Sequence, residues 1–145
     1  MRFRPLCTGA LAALLMLGAP SALYAQNQAA VDSAKQAAQE WLTLLDANDY
    51  EATWTEASSF FKSKIGSDQW VQRIQQAHSS LDSLQSRSLV AARYTSSLPN
   101  APSGEYVIAQ YRATYGSQKT VETVSLKKEQ GEWRVAGYVV RPNQQ

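Results

Sequence analysis

The spacing of apolar residues changes once along this chain, near Ser86, and that change limits the folds open to it. Upstream, apolar side chains recur every three or four positions, as on one face of a helix. Downstream they alternate, as on a strand with one buried face. A sheet with one apolar face must be covered, and here only the preceding helices can cover it.

The upstream half reads as three helices. Val31, Ala34, Ala38, Trp41, Leu42 and Leu45 trace one face of the first, with Lys35, Gln36, Gln39, Glu40 and Thr43 on the other. Asn48-Asp49 ends it, and Asn48 with Glu51 has the spacing of a capping box. A second helix spans about Tyr50 to Ser58, with Trp54 and Ala57 inward and Phe60 and Phe61 following as core residues. Gly66-Ser67 breaks the chain, with Ser67 a candidate N-cap and Asp68 at the positive helix end. The third helix carries Trp70, Ile74, Ala77, Leu81 and Leu84 on one face and polar residues, His78 among them, on the other.

Four strands follow: SLVAARYTS (88–96), EYVIAQYRATY (105–115), TVETVSLKKE (120–129) and EWRVAGYVVR (132–141). In the second, Val107, Ala109, Tyr111, Ala113 and Tyr115 oppose Gln110, Arg112 and Thr114. In the third, Glu122, Lys127 and Lys128 read as exposed. In the fourth, Trp133, Val135, Gly137 and Val139 oppose Arg134, Ala136, Tyr138 and Val140. Short turns, Gly116-Ser117-Gln118 and Gln130-Gly131 among them, make consecutive strands antiparallel neighbours. The expected class is α+β: three N-terminal helices packed on a curved four-stranded antiparallel meander, in one domain over residues 31–142.

Residues 1–25 read as a cleavable signal peptide. Arg2 and Arg4 form a positive start, Leu6 to Leu17 is an uncharged apolar run, and Gly18 and Pro20 precede small residues. That run is short of the roughly 20 residues a spanning helix needs, so no stable membrane anchor is expected. Cleavage between Ala25 and Gln26 leaves 26–30 as a polar lead-in and points to export by the general secretory route, to the periplasm or the medium. It also removes Cys7 and takes the 14 basic residues to 12, against 12 acidic. The net charge of +2 thus belongs to the leader.

The stretches AAQEWLTLLDANDYEATWTEASSFFK, DQWVQRI, SLPNAPSGEYVIAQY and VETVSLKKEQGEWRVAGYVVR resemble the bacterial secreted family catalogued as domain of unknown function 4019, over about residues 36–141. The resemblance implies a layout similar to the cone-shaped fold of nuclear transport factor 2 and ketosteroid isomerase. That group includes enzymes, ligand binders and interaction modules, so it leaves function open.

The residues themselves offer no catalytic constellation. His78 is the single His and reads as an exposed helix residue, with no metal-ligand spacing around it. Asp46 with Asp49, and Glu129 with Glu132, flank turns and read as turn residues. Glu105 or Glu122 could face Arg112 across the sheet as an exposed ion pair. There is no Gly-x-Ser-x-Gly elbow and no phosphate-binding glycine loop. No basic run exceeds Lys127-Lys128, so no nucleic-acid partner is expected; no metal or cofactor is implied either.

The aromatic residues are the enriched feature, with four Trp and seven Tyr. They can fill a small core. They can also line a cavity of the kind the resemblance implies, with Trp54, Tyr111 and Trp133 as ligand-binding candidates. A third arrangement is an exposed strip of Tyr106, Arg112 and Tyr138 forming a homodimer face. The expected function is a non-enzymatic envelope module that binds a small apolar ligand or an envelope protein. The alternatives are an isomerase- or hydrolase-like enzyme on the same cone and a self-associating structural protein.

Overall fold

The computed structural model describes residues 20–143. Arg2, Arg4, Cys7 and the apolar run from Leu6 to Leu17, on which the expected signal peptide rests, lie outside the described residues. The elements are α1 (Pro20–Asp46), α2 (Tyr50–Thr55), α3 (Ser59–Lys64), α4 (Ser67–His78), β1 (Leu84–Thr95), β2 (Tyr106–Tyr115), β3 (Gln118–Glu129) and β4 (Glu132–Pro142). The strands form one sheet in the order β1-β2-β3-β4, every pair antiparallel. This is the α+β meander that the change of period predicts.

Helix α1 packs against all four strands. Ala34 and Ala38 are fully buried at its contact face, where small side chains let the helix lie close to the sheet. Trp41, Leu42 and Leu45 continue that face into a core shared with Val107, Ala109, Val124, Leu126 and Val135. No residue between 21 and 30 is buried, so this first part of α1 contributes nothing to the core. Ala25 and Gln26 both lie on this exposed first part of α1.

The tryptophans fix the short helices by their indole N–H groups as well as by area. Trp41 Nε1 donates to the Thr53 carbonyl at 2.8 Å, and Trp70 Nε1 to the Thr53 hydroxyl at 2.9 Å. The Thr53 hydroxyl in turn donates to the Tyr50 carbonyl at 2.6 Å. Phe61 meets Trp70 edge-on, with ring centroids 4.9 Å apart. A buried indole needs such a partner, so the aromatic surplus dictates where α2 and α4 sit.

Several local expectations shift. The chain has a further helix, α3, because the Ser58 hydroxyl accepts from Phe61 N at 3.0 Å and caps a turn around the two phenylalanines. Asp49, not Asn48, caps α2. Asn48 sits at φ +59° and accepts the Tyr50 hydroxyl instead. Gly66 precedes α4 without a side-chain cap, and Ser67 is already helical. Helix α4 stops at His78, so Leu81 and Leu84 are not on it, and Ala77 faces solvent.

The hairpin turns explain how the strands keep register. Gln130 at φ +51° and Gly131 at φ +83° form the two-residue turn between β3 and β4, and positive φ at both central positions suits the twist of a hairpin. At Gly116, φ +58°, a Cβ would collide with the Asp82 side chain, so only glycine fits. One irregularity matters for the site. Ser125 pairs with Gly137 but Leu126 pairs with Val135, which leaves Ala136 as an extra residue. The alternation of β4 therefore slips by one, and Tyr138 turns into the core instead of facing away with Arg134.

Candidate functional site

Glu122 is fully buried, which overturns its reading as an exposed strand residue and as a partner for Arg112. Val124 and Leu126 follow it at alternate positions on β3, and all three point under α1. A buried carboxylate needs partners, and this one has four hydrogen bonds. Arg87 donates from Nε at 2.5 Å and from Nη2 at 3.2 Å. The hydroxyls of Tyr115 and Tyr138 donate at 2.5 Å and 2.8 Å. Arg87 also grips Asp46 at the C-terminal end of α1, at 2.6 Å and 2.9 Å.

The charge state follows from these contacts. Burial pushes the Glu122 carboxyl up, but the hydrogen bonds from Arg87 and Tyr115, the Arg87 charge and the Tyr138 hydroxyl outweigh it. The group is held below the ordinary carboxylate range and is ionised. Tyr115 and Tyr138 are pushed up, first by burial and then by the adjacent carboxylate. They remain protonated donors.

His78 ends α4 half-buried against this cluster, and not exposed as its polar neighbours suggested. Its Nε2 lies 3.4 Å from the Tyr138 hydroxyl, and its ring stands edge-on to Tyr115 with centroids 6.0 Å apart. Burial lowers its pKa, an effect that the charges of Glu122 and Asp46 oppose. Among the described residues, no three His, Cys, Asp or Glu side chains come together to hold a metal.

Tyr111 sits directly across from Glu122 in the β2–β3 register, 3% exposed, and its hydroxyl is buried with no hydrogen-bond partner. An unmet hydroxyl is a standing cost. Tyr111→Phe is therefore expected to leave thermal stability unchanged or raise it by up to about 1 kcal/mol. A fall of more than about 1 kcal/mol in urea unfolding would mean that the hydroxyl has a partner in solution.

The three ligand candidates do not converge. Tyr111 is in the core, and Trp54 is half-buried with its N–H donating to the Ile65 carbonyl at 2.9 Å. Trp133 alone faces an open groove. That groove, of about 640 Å³, runs between α1, α2 and the start of β4. Ala37, Trp41, Leu44, Trp133 and Val135 give it an apolar floor, and Gln36, Glu40, Glu56, Glu132 and Arg134 stand around it. Arg134 is held by Glu132 at 2.7 Å, with Glu56 at 3.8 Å, while among the described residues Glu40 accepts only from the neutral Gln36 amide.

The proposed interface residues also separate. Tyr106 is fully buried with its hydroxyl donating to the Pro102 carbonyl at 2.6 Å, and Tyr138 points into the core because of the slip at Ala136. Only Arg112 is exposed, so these three make no aromatic strip. Arg87 escapes the sequence reading because it precedes the expected strand start. Glu122 was legible in principle, since Val124 and Leu126 share its alternation.

A family model described as a protein of unknown function (DUF4019) matches residues 37–138. Among solved structures, the chain is similar to that of Aln2 from a Streptomyces species, at 13% identity and a TM-score of 0.49, over 88% of this chain and 94% of that one. No curated protein matches the sequence.

Proposed function

The chain belongs to the DUF4019 family, which carries no assigned activity, and from its own residues we propose a non-enzymatic binding module of the cell envelope. Its ligand would sit in the groove between α1 and β4. The observation that carries this reading is the pairing of an open apolar floor, with Trp41 and Trp133, and three carboxylates balanced by a single arginine. Such a lining suits a ligand, or a segment of a partner protein, with an apolar body and a cationic or hydrogen-bond-donating group.

The buried carboxylate of Glu122 lends no support to the enzyme reading. A general base needs a free lone pair at a position substrate can reach. Glu122 is completely buried, ionised and occupied by Arg87 and two tyrosines. The envelope setting rests on the leader, with Arg2, Arg4 and the apolar run from Leu6 to Leu17. Among the described residues, no helix is long and apolar enough to cross a membrane.

The test is native mass spectrometry of the purified protein after exposure to cell-envelope extract, with crosslinking in parallel. A retained adduct or a crosslinked partner is expected. Ala37→Phe, which fills the groove floor, should abolish it, and Trp133→Ala should weaken it roughly tenfold. No adduct and no crosslink, or an adduct indifferent to both substitutions, would sink the groove as a binding site.

A further inference from the structure

The sheet face turned away from α1 is cationic although the folded domain carries no net charge. The register places Arg93 opposite Ile108, Arg112 opposite Val121, and Val121 opposite Arg141. Lys119 lies two residues from Val121 on the same strand face. Arg93, Arg112, Lys119 and Arg141 are all exposed, and none forms a salt bridge or side-chain hydrogen bond among the described residues. The positions between them are Ala91, Gln110, Thr114, Thr123, Ser125 and Val139, with no carboxylate. Lys64 and Arg73 extend the same sign beyond the β4 edge, beside Ser125 and Val139.

This charge segregation is invisible in the sequence because alternate residues on four strands contribute to it. It argues against sheet-to-sheet pairing of two copies, which would bring like charges together across a two-fold axis. It also lacks the aromatic platforms that hold single-stranded nucleic acid, since no Phe, Trp or Tyr lies between these cations. The cations are spread over roughly 15 Å of sheet, across four strands spaced about 4.8 Å apart. A rigid partner would have to match that spacing. Lipid headgroups diffuse in the plane of the bilayer and gather beneath fixed cations wherever these stand. Val139, 44% exposed on the edge strand β4, adds an apolar contact at the same surface.

We propose that the outer face of the sheet docks this protein peripherally on an anionic phospholipid surface, through Arg93, Arg112, Lys119 and Arg141. The association is electrostatic, reversible and screened by salt. It leaves the groove on the opposite side of the domain open.

The experiment is co-sedimentation of the protein, purified from the exported fraction with its N-terminus read by mass spectrometry, with vesicles. One set contains phosphatidylglycerol in phosphatidylcholine and the other phosphatidylcholine alone. Binding is expected only to the phosphatidylglycerol vesicles, and is expected to fall as ionic strength rises. Arg112→Gln with Arg141→Gln should weaken it about thirtyfold, each cation contributing about fivefold. Lys35→Gln with Lys62→Gln, cations off this face, should leave it unchanged. The double arginine variant keeps its fold because both side chains are exposed, and an unaltered melting curve verifies this. Equal binding to the two vesicle types, no binding at low salt, or equal binding by the arginine variant would overturn the proposal. Binding to heparin or to an acidic protein without binding to vesicles would also overturn it, in favour of a polyanionic or protein partner.

Discussion

Arg87→Met is expected to destabilise the domain by about 3–5 kcal/mol at neutral pH, because it leaves Glu122 buried and charged without its cation. For a domain of this size that is a fall in Tm of roughly 10–20 °C. The sign with pH is specific. In the wild type the Glu122 pKa is depressed, so its contribution is complete above the ordinary carboxylate value of 4.5. It is lost as pH falls below that value through the lower native one. In the variant, burial is opposed only by the hydroxyls of Tyr115 and Tyr138 and no longer by a cation, so the pKa rises from its native value and the penalty is largest at neutral pH and shrinks as the carboxyl protonates. The Tm gap between the two proteins should narrow on going from neutral to acidic pH. Glu122→Gln in the Arg87→Met background should recover part of the loss, because the amide oxygen still accepts from Tyr115 and Tyr138 without a charge. A gap that is constant with pH, or a loss below about 1 kcal/mol, would mean that the arginine does not neutralise this carboxylate.

Trp70→Ala is expected to cost a similar amount, about 3–5 kcal/mol in urea unfolding. The indole is 4% exposed and bound by its N–H to the hydroxyl of Thr53. It also packs on Phe61 and Trp41. Truncation would open a cavity beneath α4 and loosen the link between α2 and α4. Trp70→Phe keeps the edge-on contact and loses the hydrogen bond, so it should fall between the wild type and alanine. If alanine costs less than about 1 kcal/mol, the aromatic cluster is not what holds α4.

How much of this was legible can be seen residue by residue. The first helix face, Val31 to Leu45, is buried as its spacing predicts, because α1 covers the whole sheet and a single face suffices. The alternation of Val107, Ala109, Tyr111, Ala113 and Tyr115 is likewise reproduced in burial. What failed depends on tertiary contacts. The end of α4 came three residues before Leu81, where His78 meets the tyrosines of the sheet. A single inserted residue, Ala136, reversed the side to which Tyr138 points, and alternation gives no sign of such a slip. Glu122 lay in phase with buried residues, yet its partner Arg87 stands 35 residues away and only the fold makes them a pair. The candidate cavity residues scattered for the same reason. Aromatic identity does not tell a core residue such as Tyr111 from a groove residue such as Trp133.

The cluster around Glu122 also bears on rates. Several of its members are distant in sequence, Asp46 and Arg87 by 41 positions and His78 and Tyr138 by 60. Loops of that length must close before the contacts to α1 and α4 can form, although Tyr115 and Glu122 already meet across one hairpin, so we expect the long-range contacts to form late in folding. Contacts absent from the transition state do little to speed folding, and they act on the reverse step. The buried charge thus works as a latch on unfolding. It ties the end of α1 to all four strands, and the helix cannot detach from the sheet without breaking it, so loss of Arg87 is expected to speed unfolding more than it slows folding.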